Sequence, residues 1–254
     1  MKISLIQTSL TWENAAANRA NFSEKINGIN EVVDLIVLPE MFTTGFTMNP
    51  SAVAETMDGE SVEWMKQTDI DKGCAITGSL VIEKDGNYYN RLLFVFPDGE
   101  IKTYNKRHLF SLANEDKHYT AGTDKLIVEY KGWRICPLVC YDLRFPVFTR
   151  NTEDYDLLLY VANWPEVRTA AWDALLKARA IENLSYTIGV NRIGQDANVH
   201  NYIGHSQVLD ALGDYAVDPQ KHDGVFTAEL SKENLGQTRA KFAFLNDRDS
   251  FKLL

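Results

Sequence analysis

The sequence predicts an α/β protein in which a mixed β-sheet is covered by helices, as a single domain over residues 1–254. Short apolar runs of strand length alternate with longer amphipathic segments along the whole chain. Two turn signals, Lys-Asp-Gly-Asn at 84–87 and Pro-Asp-Gly at 97–99, indicate hairpins within that alternation. No linker, low-complexity tract or internal repeat divides the chain, and 254 residues are enough to bury a large core.

The first hundred residues are predicted to open with a β-α-β unit and to end in hairpins. Phe22, Ile26, Ile29 and Val33 recur at helical spacing, which predicts a helix over residues 14–33. The next apolar run is a short strand that Pro39 ends. The predicted elements here are strands at Lys2–Gln7, 35–38, 75–82, 88–96 and 101–104, and helices at 14–33 and 61–68.

The rest of the chain is dominated by strands and by one strongly apolar helix. The helix Thr169–Asn183 carries apolar residues around more than one face, which is typical of a helix buried on two sides. Its second side either contacts a partner subunit or packs within the same subunit. The predicted strands of this part are 126–130, Trp133–Val139, 157–162, 186–191, 205–211 and 224–230.

Charge and cysteine content argue against several classes of protein. A net charge of −9 disfavours nucleic acid or an anionic membrane as the main partner. The apolar runs are too short to span a bilayer, and the first residues resemble a strand more than a secretory h-region. The three cysteines include no Cys-X-X-Cys pair, and the five histidines lack the spacing of metal ligands. The sequence therefore indicates no disulfide, redox or metal site. A reducing cytoplasm is therefore the expected location.

The most informative segment follows the predicted strand Trp133–Val139. Its apolar run stops at Cys140, and polar residues with helix-start character follow. A thiol fixed at the end of a buried strand can attack a carbonyl, and a helix N-terminus beside it would lower its pKa. The alternative is a core cysteine that only packs.

Two other segments carry chemically useful groups just after predicted strands. Glu40 comes after a buried strand, at the sheet edge where α/β sites form, and desolvation there would make it a general base. Lys106 follows another strand, and its ammonium can stabilise an oxyanion or lower the pKa of a nearby thiol. The plainer alternatives are a solvated loop glutamate and a surface basic cluster with Arg107 and His108. A Cys–His pair through His108 is a weaker possibility.

With Leu-Pro-Glu40, Tyr-Asn-Lys106 and Leu-Val-Cys140-Tyr-Asp-Leu-Arg-Phe-Pro in this order and spacing, the chain resembles the nitrilase superfamily of carbon–nitrogen hydrolases nearly end to end. The resemblance implies an αββα sandwich, association of subunits through helices as a homodimer or larger homo-oligomer, and chemistry that needs no metal or organic cofactor. It implies that Glu40 is the general base, Lys106 the oxyanion-side cation and Cys140 the nucleophile. Glu115, seven residues before Gly122, matches a second family glutamate that would orient Lys106 and the substrate amide.

Three stretches are similar to the ω-amidase branch, whose members hydrolyse amides of the 2-oxoglutaramate or 2-oxosuccinamate type. They are residues 39–46, 163–168 and 176–183. Such a small-molecule substrate carries a distal carboxylate, and Arg168 is the candidate partner because a guanidinium binds a carboxylate at two points. The alternative for Arg168 is an exposed loop arginine. Arg144 is the next candidate, unless it is a structural partner of Asp142 or Glu40.

Other groups are expected around the substrate. The backbone N–H of Tyr141 would help to bind the oxyanion, and Phe42, Phe46 and Trp164 would wall the site, although such aromatic residues are often core.

Three other functions stay open at this point. A nitrilase or an N-carbamoyl amidase would use the same three residues, and an inactive binding or scaffold protein would keep only the fold. Intact Glu40, Lys106 and Cys140 favour an enzyme, since an inactive relic is free to lose one of them.

Overall fold

The computed structural model describes residues 1–253 and contains two six-stranded β-sheets, where the alternation of strands and helices predicts one mixed sheet. The strands are β1 (Lys2–Gln7), β2 (Leu35–Val37), β3 (Ala75–Lys84), β4 (Asn87–Val95), β5 (Ile101–Asn105), β6 (Val128–Tyr130), β7 (Trp133–Val139), β8 (Leu157–Val161), β9 (Tyr186–Val190), β10 (Ile193–Gln195), β11 (Asn201–Ile203), β12 (Ser206–Leu209), β13 (Tyr215–Gln220) and β14 (Gly224–Glu229). The helices are α1 (Ala15–Asn27), α2 (Pro50–Val53), α3 (Glu60–Lys72), α4 (Glu115–His118), α5 (Pro146–Thr149), α6 (Thr169–Asn183) and α7 (Lys232–Phe242).

Each sheet contains three adjacent parallel strands. The first sheet has the order β14-β1-β2-β3-β4-β5, with β1, β2 and β3 parallel, and the second has the order β13-β12-β9-β8-β7-β6, with β7, β8 and β9 parallel. Val139, Val161 and Val190 are aligned across the parallel strands of the second sheet. The loops that follow these strands therefore leave the sheet at one edge, where binding sites of α/β sheets form.

The two sheets pack face to face between two layers of helices. Apolar side chains of both sheets share one core with α6, which packs on the second sheet through Trp172 and Leu176. Gly189 on β9 permits that approach, because a Cβ there would lie 2.5 Å from both of these side chains. On the other side, α1 and α3 cover the first sheet and fill a second core with residues such as Phe22 and Met65. The layers follow the order αββα that the family resemblance implies.

The main boundary error concerns α1. The helix ends at Asn27 and not at residue 33, because Gly28 caps it and donates its N–H to the carbonyls of Glu24 and Ile26. Ile29 and Val33 still pack in the second core from the loop before β2. Helical spacing of apolar residues therefore continued past the end of the helix.

Elements with few buried residues show no regular spacing of apolar residues, and the sequence did not predict them. In α7 only Leu235 is buried, and β13 at a sheet edge has no buried residue. The short helices α2, α4 and α5 and the ribbon β10–β11 were likewise not predicted. By contrast, the bounds of α6 agree with the prediction. No helix within residues 1–253 has both the length and the apolar character that crossing a membrane requires.

Candidate active site

Two of the three motif residues, Lys106 and Cys140, line one cavity of about 560 Å³, and the third, Glu40, contacts Lys106 from behind the cavity wall. Lys106 directly follows β5 of the first sheet, and Cys140 directly follows β7 of the second. Both line the cavity together with Asn163, which comes two residues after β8. Lys106 and Asn163 are 1% and 4% exposed, so they belong to its buried part.

Behind Cys140 lies a fully buried cluster of three charges. The ammonium Nζ of Lys106 is 3.0 Å from Oε1 of Glu40 and 3.0 and 2.9 Å from the two carboxylate oxygens of Glu115. All three side chains are 0% exposed. Burial lowers the pKa of Lys106, but the Glu115 and Glu40 carboxylates outweigh it and hold that pKa above its usual value. Burial also raises the pKa of the Glu115 carboxyl, against the attraction of Lys106.

Two asparagines complete the hydrogen bonding of this cluster. Nδ2 of Asn90, on β4, lies 2.8 Å from Oε1 of Glu40 and 3.2 Å from Oε1 of Glu115. The backbone N–H of Asn163 donates to Oε2 of Glu40 at 2.8 Å, and its side-chain amide donates to the backbone carbonyl of Glu40 at 2.6 Å. Glu115 also accepts the N–H of Phe110. The Glu40 carboxylate is thus held from both sheets.

The backbone around Cys140 differs from the expected helix start. Cys140 has φ +44° and begins a single 3₁₀ turn, Cys140–Arg144, in place of an α-helix. The expectation of a lowered thiol pKa is wrong: desolvation and the neighbouring Glu40 carboxylate raise the pKa of Cys140 well above its usual value, and Lys106 only partly opposes them. The thiol is therefore protonated at neutral pH and needs a base to become a nucleophile.

Asp142 ties the Cys140 turn to the strand end that carries Lys106. Its fully buried carboxylate accepts the hydroxyl of Tyr104 at 2.8 Å and the N–H groups of Val139 and His108. The His108 ring nitrogen Nδ1 is 2.7 Å from the same carboxylate. His108 is thus a partner of Asp142, and the alternative of a Cys–His pair has no support from this contact.

Arg144 has neither of the structural partners considered from the sequence. Within residues 1–253 it forms no ion pair with Asp142 or Glu40, and its guanidinium lies 4.9 Å from the ring centroid of Trp164 at the cavity wall.

Aromatic and cationic side chains form the rest of the wall. Arg168 lines the cavity with its guanidinium 5.2 Å from the Phe110 ring centroid, and its carbonyl accepts the indole N–H of Trp164 at 2.8 Å. Tyr141 also lines the cavity, with its ring 4.9 Å from Phe110. Phe46 is there as well, 5.2 Å from Nζ of Lys106.

The expectation that Phe42 walls the site is wrong. Its side chain is fully buried in the second core, where it packs against Phe22 and Trp64 at centroid distances of 5.4 and 5.7 Å. Met41 just before it has φ +42°, and its two neighbours lie in different surroundings, Glu40 against Lys106 and Phe42 in the second core.

Residues 2–240 match the sequence profile of a family described as carbon–nitrogen hydrolase. The chain belongs to this carbon–nitrogen hydrolase family. A protein named omega-amidase YafV from Yersinia enterocolitica is 47% identical over 257 residues, which cover 100% of this chain and 99% of the relative. A 2-oxoglutaramate amidase from Bacillus subtilis is 30% identical, with 96% of each chain covered.

Solved structures agree with this assignment. A CN-hydrolase superfamily protein from Xanthomonas campestris, solved with an arsenic adduct in its active site, has a TM-score of 0.98 at 45% identity and covers 100% of this chain and 99% of its own. Nit3 of Saccharomyces cerevisiae, a nitrilase superfamily member, has a TM-score of 0.84 at 22% identity, covers 95% and 94% of the two chains and shares the fold. The superfamily resemblance and the fold predicted from it are confirmed.

In this carbon–nitrogen hydrolase the other two cysteines lie away from the cavity. Cys74 and Cys136 are fully buried, and burial raises the pKa of Cys74 to about 11. Within residues 1–253, no three His, Cys, Asp or Glu side chains are grouped as a metal site would need.

Proposed function

We propose that this carbon–nitrogen hydrolase is an ω-amidase, which hydrolyses the terminal amide of small dicarboxylic ω-amides to the acid and ammonia. The observation that carries the chemistry is the Lys106 ammonium within 3.0 Å of two buried carboxylates, in the wall of the cavity that Cys140 lines. Relatives that cover the whole chain at 45–47% identity bear the name omega-amidase, and a relative at 30% identity bears the name 2-oxoglutaramate amidase, which supports ω-amides of the 2-oxoglutaramate type as the substrate class.

In the first half-reaction Cys140 attacks the amide carbon while Glu40 takes the thiol proton. Because the pKa of the thiol is raised, the thiol must give its proton to Glu40 for the sulfur to become the nucleophile. Once Glu40 is neutral, the charge of Lys106 is shared with Glu115 alone and is available to the oxyanion. The N–H of Tyr141 is the proposed second donor to that oxyanion. Glu40 then gives its proton to the nitrogen, the C–N bond breaks, and ammonia leaves a thioester on Cys140.

In the second half-reaction water replaces the amide as the reacting group. Glu40 takes a proton from the water as its oxygen attacks the thioester carbon, and Lys106 again faces the oxyanion. The C–S bond breaks as Glu40 returns the proton to sulfur, which releases the acid and restores the thiol. Glu115 is fully buried and contacts Lys106, so we assign it the orientation of that ammonium.

Arg168 is the proposed partner of the distal carboxylate of the substrate. It lines the same cavity as Cys140 and, within residues 1–253, is in no salt bridge that would occupy its guanidinium. Arg144, on the face of Trp164, is the other cation of this wall. A guanidinium binds a carboxylate by two parallel hydrogen bonds, so either residue favours a dicarboxylic ω-amide over a neutral amide.

We also propose that the subunit forms a homodimer or a larger homo-oligomer through α6. Ala170, Ala174 and Ile181 lie on the exposed side of this helix, and Ile181 is 47% exposed. Leu212 and Tyr215, which are 45% and 40% exposed, extend this apolar surface, with Lys177 of α6 packed over the Tyr215 ring. The three free cysteines support a reducing cytoplasm as the location.

Ammonia release from a panel of amides and nitriles tests the proposed activity. We expect kcat/KM to be highest for 2-oxoglutaramate and 2-oxosuccinamate, lower for neutral short-chain amides, and lowest for nitriles and N-carbamoyl compounds. A Cys140→Ala sample is the control for background hydrolysis. A preference for a nitrile or an N-carbamoyl compound would refute the ω-amidase assignment while leaving the thiol chemistry in place.

A further inference from the structure

The buried charge cluster poses an electrostatic problem that Lys106 alone does not solve. Glu40 and Glu115 both place Oε1 3.0 Å from the same ammonium, in a region without solvent exposure. Two carboxylates with one cation between them leave a net charge of −1. Like charges at this distance favour uptake of a proton by one of the carboxylates. A protonated Glu40 could not accept the thiol proton of Cys140.

Asn90 lies where it opposes that proton uptake. It is on β4 and 1% exposed, and one amide nitrogen donates to both carboxylates, at 2.8 Å to Glu40 and 3.2 Å to Glu115. Its backbone carbonyl also accepts the N–H of Lys106 at 2.9 Å. The same residue therefore fixes the start of the Lys106 loop and bridges the two acids. A neutral amide with two N–H groups stabilises two anions without adding a charge.

We propose that Asn90 is a positioning residue that keeps Glu40 and Glu115 ionised together, so that Glu40 is available as the base. The inference rests on the proposed role of Glu40. Titratable groups face this pair from several elements of the fold. They are Lys106 after β5, Cys140 after β7, and Tyr119 after α4.

The test is the pH dependence of kcat/KM for 2-oxoglutaramate in Asn90→Leu. Leucine has a similar shape but no donor, so the carboxylates lose two hydrogen bonds that favour their ionised form. A base whose ionised form is less stabilised stays protonated up to a higher pH. We expect the acidic limb to move up by about one pH unit, with kcat/KM about tenfold lower below the limb and near the wild-type value on the alkaline side. Loss of a hydrogen bond to a charged group justifies that magnitude.

Thr77→Val is the matched control. Thr77 is fully buried in the same sheet and donates to the carbonyl of Leu93 at 2.8 Å, with no contact to either carboxylate. It should lower Tm and leave the acidic limb unchanged. Should Asn90→Leu not fold, Asn90→Ala removes the same donors by deleting atoms only and carries the same expectation. An Asn90 variant that folds and loses activity equally at all pH values would overturn the proposal, because structural damage alone does not move a pKa.

A second measurement does not depend on the substrate. Iodoacetamide alkylates Cys140 as its sulfur displaces iodide and Glu40 takes the thiol proton, while Cys74 and Cys136 are buried. The alkylation rate should show the same acidic limb and the same upward shift in Asn90→Leu. If wild-type protein hydrolyses no ω-amide but the shift is present, the proposed substrate is wrong and the role of Asn90 stands. An unchanged alkylation limb in the variant would refute that role.

Discussion

Replacing Lys106 by methionine leaves two buried carboxylates without the ammonium that lies between them. Both Glu40 and Glu115 are 0% exposed, so neither can be solvated in the folded variant. Removing one partner of a buried ion pair typically lowers the free energy of unfolding by about 3–5 kcal/mol at neutral pH. Asn90 and Asn163 remain as hydrogen-bond donors to Glu40, so we expect the loss of unfolding free energy to lie near the lower end of this range.

The pH dependence of this loss has a definite sign. Without Lys106, the folded carboxylate pair holds one proton with a pKa above the unfolded glutamate value of about 4.3. The folded state then binds more protons than the unfolded state, so stability falls as pH rises toward the raised pKa and is regained at lower pH. One proton over two pH units corresponds to at most about 2.7 kcal/mol, so Lys106→Met should recover up to that amount between pH 7 and pH 5.

Urea unfolding of wild type and Lys106→Met at pH 5 and pH 7 measures this difference. Lys131→Met is the control, because Lys131 pairs with Asp34 at the surface, where an ion pair contributes about 0–1 kcal/mol. The kcat of Lys106→Met should fall by about 10²–10⁴-fold, the range for removal of a charge-stabilising group. A Lys106→Met protein whose stability deficit is the same at both pH values would refute the electrostatic reasoning.

Four further outcomes follow from the site and the surface. Cys140→Ala should fold normally and release no ammonia above background, and near-wild-type turnover by a pure sample would end the thioester mechanism. Glu115→Gln should lower the rates of acylation and deacylation in single-turnover experiments, though less than Lys106→Met does, and wild-type rates would remove Glu115 from the site. Arg168→Ala should reduce kcat/KM for 2-oxoglutaramate about 30-fold or more and kcat/KM for a neutral amide much less. The reason is that truncating one partner of a closed ion pair typically costs at least about 2 kcal/mol. Equal losses for the two substrates would shift the assignment to Arg144. Ile181→Glu should dissociate an oligomer in light scattering, and a wild-type monomer at micromolar concentration would count against the α6 interface.

The motif residues could be singled out because each follows a strand, and the family resemblance gave them their expected roles. An apolar run that stops at Cys140, or at Pro39 before Glu40, is visible along the chain without any tertiary information. The bounds of α6 were predicted for the same reason, since its apolar spacing begins and ends with the helix.

Residues that act across the fold gave no such signal. Asn90 lies inside a strand, 50 positions from Glu40 and 25 from Glu115, and only the sheet pairing and the α4 loop bring their side chains together. Asp142 is next to the motif, yet its bond to Tyr104 depends on how β5 meets the second sheet. Phe42 was misplaced because the turn at Met41 cannot be inferred from alternation.

The two sheets hold different halves of the chemistry. Lys106 and Glu40 follow strands of the first sheet, while Cys140 and Asn163 follow strands of the second. A partly folded chain in which the sheets have not docked therefore carries a thiol without its base and a base without its thiol. The pairing of thiol and base that amide hydrolysis needs therefore exists only when the two sheets share one core.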